Sequence, residues 1–276
     1  MDNESDNLRL KLKQITPPEL WRMASESRYA LNRLSEWPGA TFHTWRRASK
    51  HKLAELKDVH RGQRCFIIGN GPSLKNTELS FLEDEFTFGM NRIYMLFSEL
   101  GFDTSYYLSI NSLVIEQCAE DIRALKMPKF ISWRSRHLIE PTDDMVFLHT
   151  TYSGPKFAHD ASSRLWEGAT VTYVALQLAY HMGFDPVFLI GVDHSFATQG
   201  KPNTTIISEG DDPNHFHPSY FGKGFRWQLP DLDTSERAYI MARHAYEKNG
   251  RRILDATVGG ELTVFPKVDF LTLFNK

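Results

Sequence analysis

The stretch Cys65-Phe66-Ile67-Ile68-Gly69-Asn70-Gly71-Pro72-Ser73-Leu74-Lys75 constrains the fold most. An apolar run ends abruptly at a Gly-Asn-Gly-Pro-Ser turn, and a polar, helix-compatible segment follows. That is how a first strand hands over to a ligand-binding loop in an open parallel sheet. Gly69 and Gly71 tolerate positive φ and close backbone approach to a ligand. Pro72 suits the first turn of a helix, where its missing N–H costs nothing. The N–H groups beyond it are expected to point at an anion. An ordinary strand-to-helix turn uses the same residues, so the rest of the chain has to supply partners.

From Arg64 onward the pattern alternates strand and helix. Apolar strands are expected at Cys65–Ile68, Phe86–Met90, Ser105–Ile110, Lys129–Trp133, Met145–Leu148, Pro186–Ile190 and Arg252–Asp255. Helices are expected over Thr170–Met182 and Ser235–Asn249, the second closed by Gly250. Continuous apolar strands interleaved with helices predict an α/β fold: a doubly wound, mostly parallel, Rossmann-like sheet. Residues 1–60 read as a helical N-terminal appendage, with apolar residues from Leu8 to Leu34 at helical spacing and a break at Pro38-Gly39. Residues 61–276 read as the nucleotide-binding catalytic domain. Residues 197–230 are rich in Gly, Pro, Asp and His and too long for a simple connector, which suits a lid.

Four strand ends carry a polar or glycine signal that such a sheet would bring to one edge: Gly69-Asn70, Asn91, Asn111 and Asp193. Asn offers donors and an acceptor, which suits ribose hydroxyls and base edges. Taken singly, each Asn reads equally as a turn residue or helix cap. Asp193 suits ribose hydroxyls, a metal, or a cap. In the lid, His215 and His217 stand among aromatics, and a His there can take a proton from an attacking hydroxyl.

Composition narrows the classes. A formal net charge of −2 over 276 residues offers no concentrated basic face, so no nucleic-acid partner is expected. Two cysteines, Cys65 and Cys118, make neither a disulfide framework nor a metal knuckle. No apolar run is long enough for a transmembrane segment. The acidic start, Met1–Asp6, lacks the form of a secretory signal, so a cytoplasmic setting is expected. The basic cluster Arg46, Arg47, Lys50 and Lys52 leaves peripheral docking of residues 1–60 to the inner membrane face or a protein as an alternative to a solvated face. Lys75 does not have Walker A spacing and position 74 is Leu rather than Gly, which disfavours common NTPase and nicotinamide chemistry.

Ile67–Lys75 resembles the opening of bacterial CMP-sialic-acid-dependent sialyltransferases of the Campylobacter type. The likeness continues through Phe88–Tyr94, Asn111-Ser112-Leu113, Thr170–Phe184 and Ile190–Asp193. The same series is similar to the DUF115 group, whose archaeal members are 6-hydroxymethylpterin diphosphokinases. Other DUF115 proteins sit within flagellin-glycosylation motility accessory factors; Trp166–Thr170 and His215–Gly224 look closest to the bacterial ones. The resemblance implies that Gly69, Asn70 and Gly71 face the nucleotide phosphate, and Pro72 and Ser73 are expected among the binding residues of the same loop. It implies that Asn91, Asn111 and Thr170 face its sugar and base, with Asp193 beside them; Ser112 and His194 are expected among the binding residues. His215 matches the general base best, with His217 second. The sialyltransferases carry tyrosines shortly after the aspartate; here His194-Ser195-Phe196 follow, and His194 or Lys201 would have to replace them. Three functions follow. The first is a glycosyltransferase using a nucleotide-activated sugar, a CMP-linked acidic sugar being one option, and a hydroxyl acceptor in glycan synthesis, with no required metal. The second is a diphosphokinase moving pyrophosphate to a hydroxymethylpterin-like acceptor, with Mg²⁺ on Asp193, Asp211 and Asp212. The third is a non-catalytic nucleotide-binding protein.

Overall fold

The structure is a computed structural model, and it describes residues 17, 20, 27, 31, 34–152 and 154–274. The backbone divides into two compact units, Met1–Thr44 and Trp45–Lys276. In the first unit, residues 34–42 are helical and the ring of Trp37 meets Phe42 edge-on at 5.6 Å. The expected break at Pro38-Gly39 is corrected: the helix runs through both residues and stops at His43. A proline removes one N–H bond without forcing a helix to end there. The apolar positions Leu8, Leu10, Leu12, Trp21 and Met23 lie outside the described residues.

The second unit is built on eight parallel strands: β1 (Cys65–Ile68), β2 (Phe86–Met90), β3 (Tyr106–Ser109), β4 (Lys129–Ser132), β5 (Met145–Thr151), β6 (Arg164–Trp166), β7 (Val187–Ile190) and β10 (Ile253–Asp255). Their order is β10-β7-β1-β2-β3-β4-β5-β6. A short antiparallel pair, β8 (Thr205–Ile207) and β9 (Arg226–Gln228), lies within the expected lid. The chain winds outward from β1 to β6 and then returns to place β7 on the other side of β1. The topological switch point is therefore between β1 and β7, where a doubly wound sheet opens its ligand crevice. The fold is the α/β, Rossmann-like sheet the alternation predicts.

β1 is buried at every position, so it reads as an unbroken apolar run. Cys65 and Ile67 join the core that also holds Val174, Leu178 and Phe184. On the other side Phe66 stacks on Phe188 and on Phe274, at 5.1 and 5.8 Å. Burial pushes the Cys65 thiol well above the ordinary range, as for an inert apolar filler.

Five helices matter for the site: α1 (Thr44–Glu55), α2 (Ser112–Gln117), α3 (Ala119–Ala124), α4 (Val171–Met182) and α5 (Leu232–Lys248). α4 is buried from Thr172 to Met182. Two of its buried polar residues tie it to neighbouring elements. The Gln177 amide donates to the carbonyls of Trp166 and Tyr173 and accepts from the N–H groups of Ala158 and Trp166. One turn later, His181 reaches the Leu53 carbonyl of α1 at 2.7 Å and the Ala161 N–H at 3.3 Å. α4 thereby fixes β6, the 158–161 loop and α1 together. Tyr246 of α5 donates to the Leu176 carbonyl at 2.7 Å.

β6 pairs only with His149–Thr151 of β5, which leaves the first half of β5 as an open edge. α1 covers it: the Phe147 N–H donates to Ser49 Oγ at 2.8 Å, and Lys52 donates to the Asp143 and Met145 carbonyls. Covering an edge in this way blocks pairing with another chain.

Candidate nucleotide site at the switch point

Asn70, Asn91, Asn111 and Asp193 follow the carboxyl ends of β1, β2, β3 and β7, so the parallel sheet sets all four on one edge. The loops after β1 and β7 are joined directly. The Gly69 N–H donates to the Ile190 carbonyl at 2.7 Å and the Gly71 N–H to the Gly191 carbonyl at 2.9 Å. Ser73 gives both its N–H and its hydroxyl to Asp193, at 3.1 and 2.7 Å. These contacts correct two sequence expectations. Gly71 has φ −70° rather than a positive value, and Gly69 is likewise outside the left-handed region. Close packing of loop on loop is what requires them: a Cβ on Gly69 would lie 2.1 Å from the Gly191 oxygen, and one on Gly71 1.8 Å from Asp193 Oδ2. The N–H groups of Gly69, Gly71 and Ser73 are likewise spent on the β7 loop. Pro72 opens a short 3-10 turn, Pro72–Asn76.

Burial raises the Asp193 carboxyl above its ordinary value, against the lowering effect of the two Ser73 bonds. Next to it His194 has φ +57°, and its Nε2 lies 3.8 Å from Glu236. Asn70 keeps a buried Oδ1 with no hydrogen-bond partner. Asn91 sits at φ +52°, a conformation Asn tolerates. Its Oδ1 accepts from Ser109 at 3.1 Å and its carbonyl from Tyr107 at 2.6 Å. Asn111 and Thr170 cap helices: Asn111 Oδ1 accepts the Leu113 N–H at 2.9 Å, and Thr170 Oγ1 the Thr172 N–H at 3.3 Å. Ser112 is exposed as the first residue of α2.

The lid lies over this edge through named bonds. The Phe216 N–H donates to the Asn70 carbonyl at 3.0 Å. The Arg92 guanidinium donates to the carbonyls of Ser219 and Tyr220 and lies over the rings of Tyr220 and Phe225. Gln117 of α2 exchanges two bonds with the Arg226 backbone. Asn214 Oδ1 accepts from the N–H groups of Ala197 and Thr198, folding the segment back onto its own start.

His215 is held on two sides within the lid. Its Nδ1 lies 2.7 Å from Asp212 Oδ2, and its ring stacks on Tyr220 at 4.1 Å and 10°. Asp212 is itself fixed, because its side chain is almost fully buried and also accepts the N–H groups of Asn214 and Phe221. A carboxylate accepting from Nδ1–H leaves Nε2 as the free basic nitrogen, aimed by a rigid partner. His217 differs: its Nδ1 accepts the Ser219 N–H two residues on, closing its own turn. Asp212 as the partner of His215 is a contact the sequence reading missed. The Asp212-x-x-His215 spacing carried the signal, but many surface turns share it.

The described residues bring no three His, Cys, Asp or Glu side chains together as a metal site. Asp193 accepts both Ser73 bonds, and Asp212 accepts the Asn214 and Phe221 N–H groups and faces His215. A cleft of about 430 Å³ lined by Trp45, Arg123, Arg136 and His137 contains none of the residues above. Among the described residues no helix is long and apolar enough to cross a membrane.

A family model described as "6-hydroxymethylpterin diphosphokinase MptE-like" matches residues 41–199, more than half of the chain. The match spans β1 to β7 and Asp193 and ends before Asp212 and His215. No curated protein matches the chain. Among solved structures, the Maf glycosyltransferase from Magnetospirillum magneticum AMB-1 is similar at 15% identity and a TM-score of 0.49. The alignment covers 92% of this chain and 42% of that one, so the chain spans less than half the length of that protein.

Proposed function

The chain belongs to the MptE-like family, and from that premise we propose that it is a nucleotide-dependent transferase whose base is His215. The observation that carries the reading is the Asp212–His215 couple, held over the switch-point edge by the Phe216–Asn70 and Arg92–Tyr220 contacts. The donor nucleotide binds at the β1–β7 switch point. Asn70, with its unpartnered Oδ1, and Asn91 meet its polar groups, and a ligand hydroxyl would satisfy the buried oxygen. Asn111, Ser112 and Thr170 line the same edge from the helix starts.

In this reading an acceptor hydroxyl gives its proton to His215 Nε2 while its oxygen attacks the activated centre of the donor. Asp212 stabilises the imidazolium that forms. The nucleotide leaves with the bonding electrons. His217 holds its turn and takes no proton. We assign the activated centre to the anomeric carbon of a nucleotide-linked sugar, the donor class of the glycosyltransferases this loop resembles.

A second reading has its own support, since the family description names a diphosphokinase. There the same base would activate a hydroxymethyl group toward the β-phosphorus of a nucleoside triphosphate. Any Mg²⁺ would arrive largely on the triphosphate, with Asp193 already accepting from Ser73 and Asp212 facing His215. The test is a thermal-shift and product screen of nucleotide sugars and nucleoside triphosphates, with and without Mg²⁺. Stabilisation and cleavage of a nucleotide sugar supports glycosyl transfer. Nucleoside monophosphate formed from a triphosphate plus a hydroxymethylpterin supports the second reading. No ligand from either class would overturn both.

A further inference from the structure

A second feature of the large unit lies at the opposite end of the sheet. β1 and β5 are four strand spacings apart, roughly 19 Å, so it is separate from the switch point. There Arg46 of α1 is fully buried. Its Nη2 donates to the carbonyls of Ser162 and Ser163, both at 2.9 Å. Among the described residues its Nε and Nη1 are buried with no hydrogen-bond partner. His149 of β5 is buried beside it, and its Nε2 also lacks a partner. The charges acting on His149 are those of Arg164, Arg46 and Lys50, and all are positive. Arg164 sits opposite His149 in the β5–β6 register. The nearest acidic residue along the β5–β6 connection, Asp160, is engaged by Ser162, Lys57 and His181.

A buried guanidinium without a counter-charge is costly, and neutral water satisfies its hydrogens without offsetting its charge. Burial lowers the Arg46 pKa only to about 10, so the side chain stays cationic at neutral pH. Two unpartnered guanidinium nitrogens, an imidazole nitrogen and two further cations suit a compact, multiply charged oxygen anion. Lys50 and Arg164 are only partly buried, so the cluster borders the surface on their side.

We propose that Arg46, Lys50, His149 and Arg164 form a binding site for a phosphate-class oxyanion, distinct from the switch-point site. The ligand is either free phosphate or a phosphoryl group carried by a larger molecule. Filling the site would tie α1 to β5 and β6 and strengthen the cover over the β5 edge.

The experiment uses the full chain at pH 7.5 and constant ionic strength. Sodium phosphate replaces sodium chloride in steps while unfolding temperature is recorded. A saturable rise is expected, with affinity at least fivefold weaker in Lys50→Met and no rise in Arg46→Met. Because Arg46→Met strands two carbonyls and can fail to fold, His149 is followed independently by NMR in the unmodified chain. Phosphate should shift its ring resonances and raise its apparent pKa. Methyl phosphate distinguishes the sources: an equal effect indicates a carried phosphoryl group, a lost effect the free ion. A response to CMP that survives Lys50→Met belongs to the switch-point site, so the two sites fail or succeed separately. No saturable rise, or an equal rise in Lys50→Met with His149 unmoved, overturns the proposal.

Discussion

Replacing Gly69 by alanine tests the joint on which the site is built. The added Cβ would stand 2.1 Å from the Gly191 carbonyl oxygen and 2.6 Å from its carbon, both backbone atoms. No side chain can turn away to make room. The loops must part until 2.1 Å becomes at least 3.0 Å, the closest approach real Cβ atoms show. That movement strains the Gly69–Ile190 and Gly71–Gly191 bonds, now 2.7 and 2.9 Å. Each buried donor left without its acceptor costs about 1–3 kcal/mol. Two such losses give a destabilisation of about 2–6 kcal/mol, a large share of the roughly 5–15 kcal/mol that holds a domain folded. For a unit of this size each kcal/mol lowers Tm by about 2–4 °C. Urea and thermal unfolding read the effect directly. Gly210→Ala is the control, because nothing lies within 4 Å of its added Cβ; it should stay within about 0.5 kcal/mol of the parent. If Gly69→Ala unfolds with Gly210→Ala, the loops are not packed as described and the reasoning fails.

Arg92→Ala removes the guanidinium that holds the Ser219 and Tyr220 carbonyls. Limited proteolysis should then cut within residues 197–230 at least tenfold faster, while α4 keeps its hydrogen-exchange protection; unchanged cleavage would show that Arg92 does not pin the lid. His149 sets an acid limit. Its pKa falls to about 4, chiefly through burial, with Arg164, Arg46 and Lys50 adding to it. The unfolded chain takes up the proton first, near pH 6.5. Stability is therefore full above that value and is lost as pH falls toward 4, by up to about 3 kcal/mol. His149→Gln should flatten the unfolding curve across that window, and an unchanged slope would assign the acid sensitivity elsewhere.

Much of the sheet was legible because β1, β2, β3, β4, β5, β7 and β10 are apolar runs that a doubly wound sheet buries on both sides. β6 escaped notice because Arg164-Leu165-Trp166 is short and preceded by two serines. β8 and β9 were hidden because the outer positions of each are exposed, which leaves no burial pattern to read. The polar strand ends were legible as a set, since parallel topology alone brings Asn70, Asn91, Asn111 and Asp193 to one edge. Their individual bonds were not. Asn111 and Thr170 stand where a helix needs an N-cap, and sequence cannot say whether such an oxygen also meets a ligand. Gly69 and Gly71 looked like ligand-facing residues, yet their requirement comes from a β7 loop more than 110 positions away. The Asp212–His215 couple depends on the burial of Asp212, which a Gly- and Pro-rich segment does not announce.

The most direct test of the account measures transfer and binding together in His215→Ala and Asp212→Asn, using the donor found in the nucleotide screen. If His215 takes the acceptor proton, turnover in His215→Ala falls by about 10²–10⁴-fold. Asp212→Asn should fall in the same direction, with a changed pH profile. Nucleotide affinity by calorimetry should stay within about twofold in both, because neither residue holds the donor. Full turnover in His215→Ala, or loss of turnover that only follows loss of nucleotide binding, would contradict the assignment of His215 as the base.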